Sequence, residues 1–214
     1  MFMTIILSSP VPGVMIRWET LLKGHCKIKK ALSIEQLRSL CGNRQFDVIL
    51  LHRMLIDISS FRTLRSAFPA ARFFLLTDHP DEEEALAFLR LGIVGYANTY
   101  IAAPRLLQAL RVITEGGVWL GQKIIQRLIT GVSNTLKPED KKDQVPLLPA
   151  NLTKSQRNIA ERVARGQSNL EIAADLNITE RTVKAHLTSI YEKTKTGNRL
   201  NLALLINLGK NPSG

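Results

Sequence analysis

The stretch FDVILLHRML at residues 46–55 decides how the first half of the chain folds. Its core, Val48-Ile49-Leu50-Leu51, has no polar alternation, which is the pattern of a strand covered on both faces in a parallel sheet. In an open α/β sheet, the residue leaving the carboxyl end of such a strand points toward the ligand crevice. That residue is His52, so the chemistry of a site at this position depends on an imidazole.

Outward from this strand, short apolar runs alternate with longer amphipathic ones. MTIILSS, KIKKALS, FDVILL, RFFLLTD and VGYANT read as strands, and the stretches 14–24, 34–41, 59–68, 81–91 and 104–115 read as helices. Five βα units in this length predict an α/β domain with a flavodoxin-like, doubly wound, five-stranded parallel sheet. A further short helix over roughly 121–130 follows the Gly116-Gly117 break and closes a first domain at 1–130. Residues 131–150, which include SNTLKPEDKKDQVPLLPA, with three prolines and mixed charges, read as a linker. Residues 151–214 then form a second, all-α domain of four helices.

Composition excludes several classes. Of 214 residues, 45% are hydrophobic and 22% charged, enough apolar surface for packed cores. The longest apolar runs fall far short of the roughly 18 residues that cross a bilayer, and MFMTIILSS lacks the basic start of a secretory signal. The expectation is a cytoplasmic protein with no membrane partner. Cys26 and Cys41 stand in no metal-ligand spacing, so neither zinc nor a disulfide is expected. There is no paired-carboxylate motif, nucleophile–base pair or GxGxxG loop, so neither catalytic residues nor a cofactor site are expected. The net charge of +11 is uneven: residues 151–214 hold 10 basic and 5 acidic side chains, nearly half the excess in under a third of the chain. Such a surplus suits a polyanion, provided a motif stands behind it.

The second domain supplies the motif. Thr153-x-x-Gln156 and Ser168-x-x-Glu171 are capping boxes that start two helices, Thr179 caps a third of about four turns and Asn198 a fourth. A short helix, a tight turn at Asn177-Ile178 and a longer helix make a helix-turn-helix. The second of its helices lies in the DNA major groove, so its two faces must differ. Val183, Leu187, Ile190 and Thr194 form one stripe, whereas Arg181, Lys184, Ala185 and Thr188 form another. Lys184 can donate to guanine or phosphate, Thr188 can serve either, and Ala185 allows close approach. Lys193, Lys195 and Arg199 near the far end can neutralise phosphates.

LTKSQRNIAERVARGQSNLEIAADLNITERTVKAHLTSIYEKTKTGNR closely resembles the LuxR/NarL-type helix-turn-helix. That pattern contains LT, GxSNxEIAxxLxIS, TVKxHxxxIxxK and a later NR. The resemblance implies base reading by Lys184, Ala185 and Thr188, with Asn169, Thr182 and Lys193 near the DNA backbone. The usual Arg-Glu after the opening is Ser155-Gln156 here, and Gln156 preserves the capping box. His186 then belongs to packing and backbone contact.

The first 130 residues correspondingly resemble the receiver domain of response regulators. A working receiver needs an aspartate ending its third strand, an acidic pair after the first strand to hold Mg²⁺, a hydroxyl residue after the fourth and a lysine after the fifth. The matching positions here are His52, Ser8-Ser9, Thr77 and Thr99; only Thr77 and the aromatic Tyr96 keep the pattern. A lone imidazole with neither metal nor lysine has no means of stabilising phosphoryl transfer. The acidic run Asp81–Glu84 reads as complementation of a helix dipole.

The leading expectation is therefore a sequence-specific, phosphorylation-independent transcription regulator of double-stranded DNA. It would act as a homodimer, with 199–208 as a candidate contact, and with a protein or small-molecule effector at its pseudoreceiver. Some biofilm regulators of this construction bind cyclic di-GMP through W-[FLM]-[TS]-R; the corresponding Trp119-Leu120-Gly121-Gln122 matches at two positions and lacks the arginine. A third reading is a protein-interaction adaptor whose DNA binding has lapsed.

Overall fold

The computed structural model describes residues 3–43, 45–135, 149 and 151–208. The chain forms two compact units, Met1–Trp119 and Leu120–Gly214.

In the first unit, strands β1 (Thr4–Ser8), β2 (Lys27–Ala31), β3 (Val48–His52), β4 (Phe73–Thr77) and β5 (Gly95–Asn98) alternate with helices. The helices are α1 (Pro12–Leu22), α2 (Ile34–Gly42), α3 (Ile58–Ala67), α4 (Glu82–Leu91) and α5 (Ala103–Thr114). The strands pair in parallel in the order β2-β1-β3-β4-β5. This is the expected doubly wound sheet, and its winding reverses between β1 and β3, the point where such folds form their crevice. Every residue of β3 and β4 is buried, which explains their unbroken apolar runs. Edge strand β2 instead carries Lys27, Lys29 and Lys30, charges that discourage pairing with another chain.

One face of the sheet, with Ile5, Leu7, Val48, Leu50, Phe74 and Leu76, packs on Trp18 and Leu22 of α1 and Leu106 and Ile113 of α5. On other side chains of the core, Phe61 meets the rings of Phe73 and Phe88 edge to face, at centroid distances of 5.1 and 5.3 Å. Gly95 is required where it stands: a Cβ there would lie 2.6 Å from the Phe74 ring. Beyond α5, Trp119 adds a one-residue parallel bridge to Gly95. Its N–H donates to Val94 O, its carbonyl accepts from Tyr96 N (both 3.0 Å), and it packs against the core.

The second unit contains α6 (Gln122–Thr135), α7 (Lys154–Ala164), α8 (Asn169–Leu176), α9 (Glu180–Thr194) and α10 (Arg199–Leu208). Its core joins Ile159 and Val163 of α7, Ile172 of α8, Val183, Leu187 and Ile190 of α9, and Leu202 and Ile206 of α10. Both capping boxes are formed, and the side chains of Thr179 and Asn198 accept from Thr182 N and Asn201 N. Asn177 adopts a left-handed conformation (φ 52°), ends α8 and makes the turn into α9.

Most helix boundaries fall within one residue of the sequence reading, with larger differences at α1, β2 and α6. α1 starts at Pro12 rather than 14 because proline suits the first helical turn, where its missing N–H is not needed. β2 ends at Ala31, since Ser33 caps α2 by accepting from Gln36 N. α6 continues to Thr135, past the point at which a linker was expected, and residues 136–148 and 150 of that linker lie outside the described residues.

Candidate functional site

Strand register brings the carboxyl ends of the central strands together. Ser8 is level with Leu51, His52 with Leu76, and Thr77 with Asn98, so Ser8, Ser9, His52, Thr77, Asp78 and Thr99 collect at one edge of the sheet. Ser8, Ser9, His52 and Thr99 are wholly buried, and Thr77 nearly so. Thr77 O accepts from Thr99 N at 2.8 Å, which locks β4 to β5 at this edge.

His52 is the centre of a chain of polar contacts. Ser9 Oγ stands 3.0 Å from His52 Nδ1, and Asp78 Oδ1 stands 3.3 Å from His52 Nε2. Ser9 Oγ also accepts from Val11 N at 3.1 Å. The hydrogen placement that satisfies each group has the Ser9 hydroxyl donating to Nδ1 and Nε2–H donating to Asp78. The edge of the ring system is closed by Trp18, at 5.9 Å between centroids and nearly perpendicular, whose indole N–H donates to Thr99 O at 3.0 Å.

The Asp78 carboxyl is held below its ordinary pKa. Partial burial pushes the other way, but the Thr99 hydroxyl, the His52 ring and the nearby His79 outweigh it. Thr99 Oγ1 acts here by proximity, since among the described residues it completes no hydrogen bond of full geometry; Ser8 Oγ is likewise buried without a partner among them. These donors do not suit a divalent cation: two serine hydroxyls and one carboxylate engaged by a histidine replace the oxygen set that Mg²⁺ requires. Among the described residues, no three His, Cys, Asp or Glu side chains are grouped to hold a metal ion.

A second network lies beside it. Tyr96 OH donates to Glu84 Oε1 and accepts from Asp81 N, at 2.8 and 2.9 Å. Arg53 Nε donates to Glu84 Oε2 at 2.6 Å and its NH1 donates to Ile56 O, while its guanidinium lies over Phe88. Burial above all, with the Glu84 and Asp81 carboxylates, pushes the Tyr96 phenol well above its ordinary pKa against the opposing hydrogen bond from Asp81 N–H, so it stays a donor. Sequence reading missed Asp78, Arg53 and the tertiary role of Glu84. The available signal for Asp78 was positional: it follows an apolar strand just as His52 does.

In the second unit, Thr179 starts α9 and the buried stripe Val183, Leu187 and Ile190 fixes its rotation. The opposite stripe therefore faces outward, with Arg181 and Ala185 exposed and Lys184 and Thr188 half-buried. Lys184 Nζ is 3.1 Å from Glu180 Oε1, and Thr188 Oγ1 donates to Lys184 O at 3.1 Å. Thr182 pairs its hydroxyl with that of Thr179 at 2.8 Å.

Of the other residues expected near DNA, Lys195 is exposed, whereas Asn169, Lys193 and Arg199 are tied into the domain itself. Asn169 is 2% exposed and accepts from Arg199 NH1 at 3.1 Å, which joins the start of α8 to the start of α10. Burial lowers the Arg199 pKa, against smaller opposing effects from Tyr191 and Glu171. Lys193 Nζ donates to Asn151 O and Gln156 Oε1, at 3.0 and 2.8 Å, and so links the end of α9 to the cap of α7.

The described residues thus comprise a doubly wound unit with a polar cluster at its strand ends and a second unit that contains a helix-turn-helix. Residues 150–206 match the family model of bacterial regulatory proteins of the luxR family, so the second unit contains a luxR-type helix-turn-helix domain. The chain is 27% identical over 177 residues to the uncharacterized transcriptional regulatory protein YhcZ of Bacillus subtilis, covering 81% of this chain and 79% of that one. It is 26% identical over 169 residues to the transcriptional regulatory protein UhpA of Escherichia coli, covering 79% and 78%. Among solved structures, a LuxR-family response regulator from Aurantimonas matches with TM-score 0.55 at 21% identity, over 62% of this chain and 99% of that one. The response regulator RcsB in an RcsB–DNA complex matches with TM-score 0.54 at 17% identity, over 97% and 98%; these two likenesses concern the fold.

Proposed function

We propose that this chain is a sequence-specific, DNA-binding transcription regulator that acts as a homodimer and does not use aspartyl phosphorylation. The observation that carries the proposal is the outward stripe of α9. Arg181, Lys184, Ala185 and Thr188 occupy a face that the domain's own packing leaves uncovered, and they combine cationic, hydroxyl and small side chains as major-groove reading requires. The luxR-family match and the regulatory relatives support the same reading, as does the occurrence of RcsB, similar in fold, as dimers bound to DNA. A regulator of this kind works in the cytoplasm, and its relatives are regulators rather than enzymes.

Independence from phosphorylation rests on the strand-end cluster. The acceptor position holds His52, which is buried and engaged on both ring nitrogens, and the positions for the metal-binding acids and the lysine hold Ser8, Ser9 and Thr99. Control then passes to protein abundance or to a protein or small-molecule effector of the receiver-like domain. Trp119 is engaged in the sheet edge and the core, which accounts for it without cyclic di-GMP.

Fluorescence anisotropy of the full chain against duplexes selected from a random pool tests the proposal, with a salt series. Affinity should fall steeply with salt, because several phosphates are neutralised per monomer. A flat salt dependence would overturn the DNA-binding reading, and unchanged binding by Lys184→Ala would favour the adaptor. Cyclic di-GMP in the same assay should change affinity little; a gain of about tenfold, roughly 1.4 kcal/mol of coupling, would make the first domain a nucleotide sensor.

A further inference from the structure

We infer that Glu180 is a specificity-determining residue, acting through Lys184 to suppress binding to DNA of the wrong sequence. The inference rests on the DNA-binding reading above. Glu180 is the first residue of α9, the end of a recognition helix that enters the groove. Its carboxylate lies 3.1 Å from Lys184 Nζ, and both side chains are about one-third exposed. An acid four residues before a lysine is the favourable orientation of such a pair, and the helix dipole adds to it at the first turn.

Lys184 therefore meets DNA with its charge already offset and its side chain held. A phosphate backbone of arbitrary sequence attracts the ammonium and repels the adjacent carboxylate, so the pair gains little from non-specific contact. Release of Lys184 from Glu180 is repaid only where directed acceptors are available, as at guanine O6 and N7. The carboxylate can then accept from a cytosine amino group rather than face a phosphate. Glu180 supplies the repulsive element that discrimination between partners requires. Among the described residues α9 is held without this side chain, capped by Thr179 and anchored by Val183, Leu187 and Ile190.

The test compares wild type, Glu180→Gln, Lys184→Ala and the double variant by anisotropy. The probes are one duplex selected from a random pool and, as the non-specific competitor, poly(dA·dT), which presents neither guanine O6 and N7 nor a cytosine amino group. In Glu180→Gln, affinity for poly(dA·dT) should rise about two- to fivefold, the range of an exposed ion pair. Its salt slope should steepen by up to about 0.9, and the selected-to-competitor ratio should fall. In the Lys184→Ala background, Glu180→Gln should leave that ratio nearly unchanged. A ratio that Glu180→Gln leaves unaltered or raises would overturn the inference, and so would an equal fall in both backgrounds, because the carboxylate would then act only as diffuse charge. Wild-type protein that binds neither probe would instead overturn the DNA-binding reading itself.

Discussion

At the scale of single residues, the buried polar groups at the strand ends are unequal. His52 satisfies Ser9 and Asp78, whereas Ser8 Oγ is buried with no partner among the described residues. His52→Ala should therefore cost roughly 2–4 kcal/mol, as a cavity beside Trp18 and two lost partners combine. Ser8→Ala should be neutral or stabilising, because it removes an unsatisfied hydroxyl. Urea unfolding of both variants checks the contrast, and equal losses would count against it. Asp78 adds a pH dependence whose sign is set by its lowered pKa. Its stabilisation is present above the ordinary carboxyl value of 3.8 and is lost as pH falls through the lower folded value. Asp78→Asn should flatten the stability profile below about pH 4, measured by thermal melts across the acid range. None of this follows from the strand pattern, which showed that residues leave a strand at 52 and 78 but not that they meet.

At the scale of elements, two helices illustrate different sources of position. The hydroxyl of Tyr96 on β5 and the guanidinium of Arg53 converge on Glu84 of α4, so α4 is held by a tertiary network as well as by its Asp81 cap. Tyr96→Phe removes the donor to Glu84 and the acceptor for Asp81 N, and should cost about 1–3 kcal/mol. Hydrogen exchange should show the loss concentrated at the start of α4. Helix α9 has a packing stripe and an outward stripe, and variants should separate them. Leu187→Ala should destabilise the second domain by about 2–5 kcal/mol. Arg181→Ala should stay within about 0.5 kcal/mol of wild type in stability while lowering DNA affinity and reducing the salt slope by about 0.9. Equal stability losses would mean that the rotation of α9 has been misassigned. The stripes themselves were legible in the sequence, since helical spacing places Val183, Leu187 and Ile190 together. The inward engagement of Asn169, Lys193 and Arg199 was not, because their partners lie 30 to 42 residues away along the chain.

At the scale of the whole molecule, the first unit combines a doubly wound sheet with a packed, hydrogen-bonded cluster of Ser9, His52 and Asp78 at its strand ends, and the proposed independence from phosphorylation can be tested there. Incubation with acetyl phosphate and Mg²⁺ should add no phosphoryl group by intact-mass spectrometry and should leave DNA affinity unchanged; a stable adduct at His52 would refute this. Local patterning determined much of the architecture. Unbroken apolar runs can be buried only in a two-sided sheet, and hydroxyl residues three positions before Gln156 and Glu171 start helices wherever the chain allows. The absence of carboxylates at Ser8, Ser9 and His52 was equally plain, because residue identity at a strand end needs no partner to be read. Only the tertiary structure decided which strand ends touch: parallel register brings Ser9, His52 and Asp78 together across gaps of 43 and 26 residues. It also decided that Glu84 serves Tyr96 and Arg53 as well as a helix dipole. Hydrophobic periodicity specifies which face of an element is buried, whereas a polar contact depends on the relative placement of two elements, which packing sets once the core has formed.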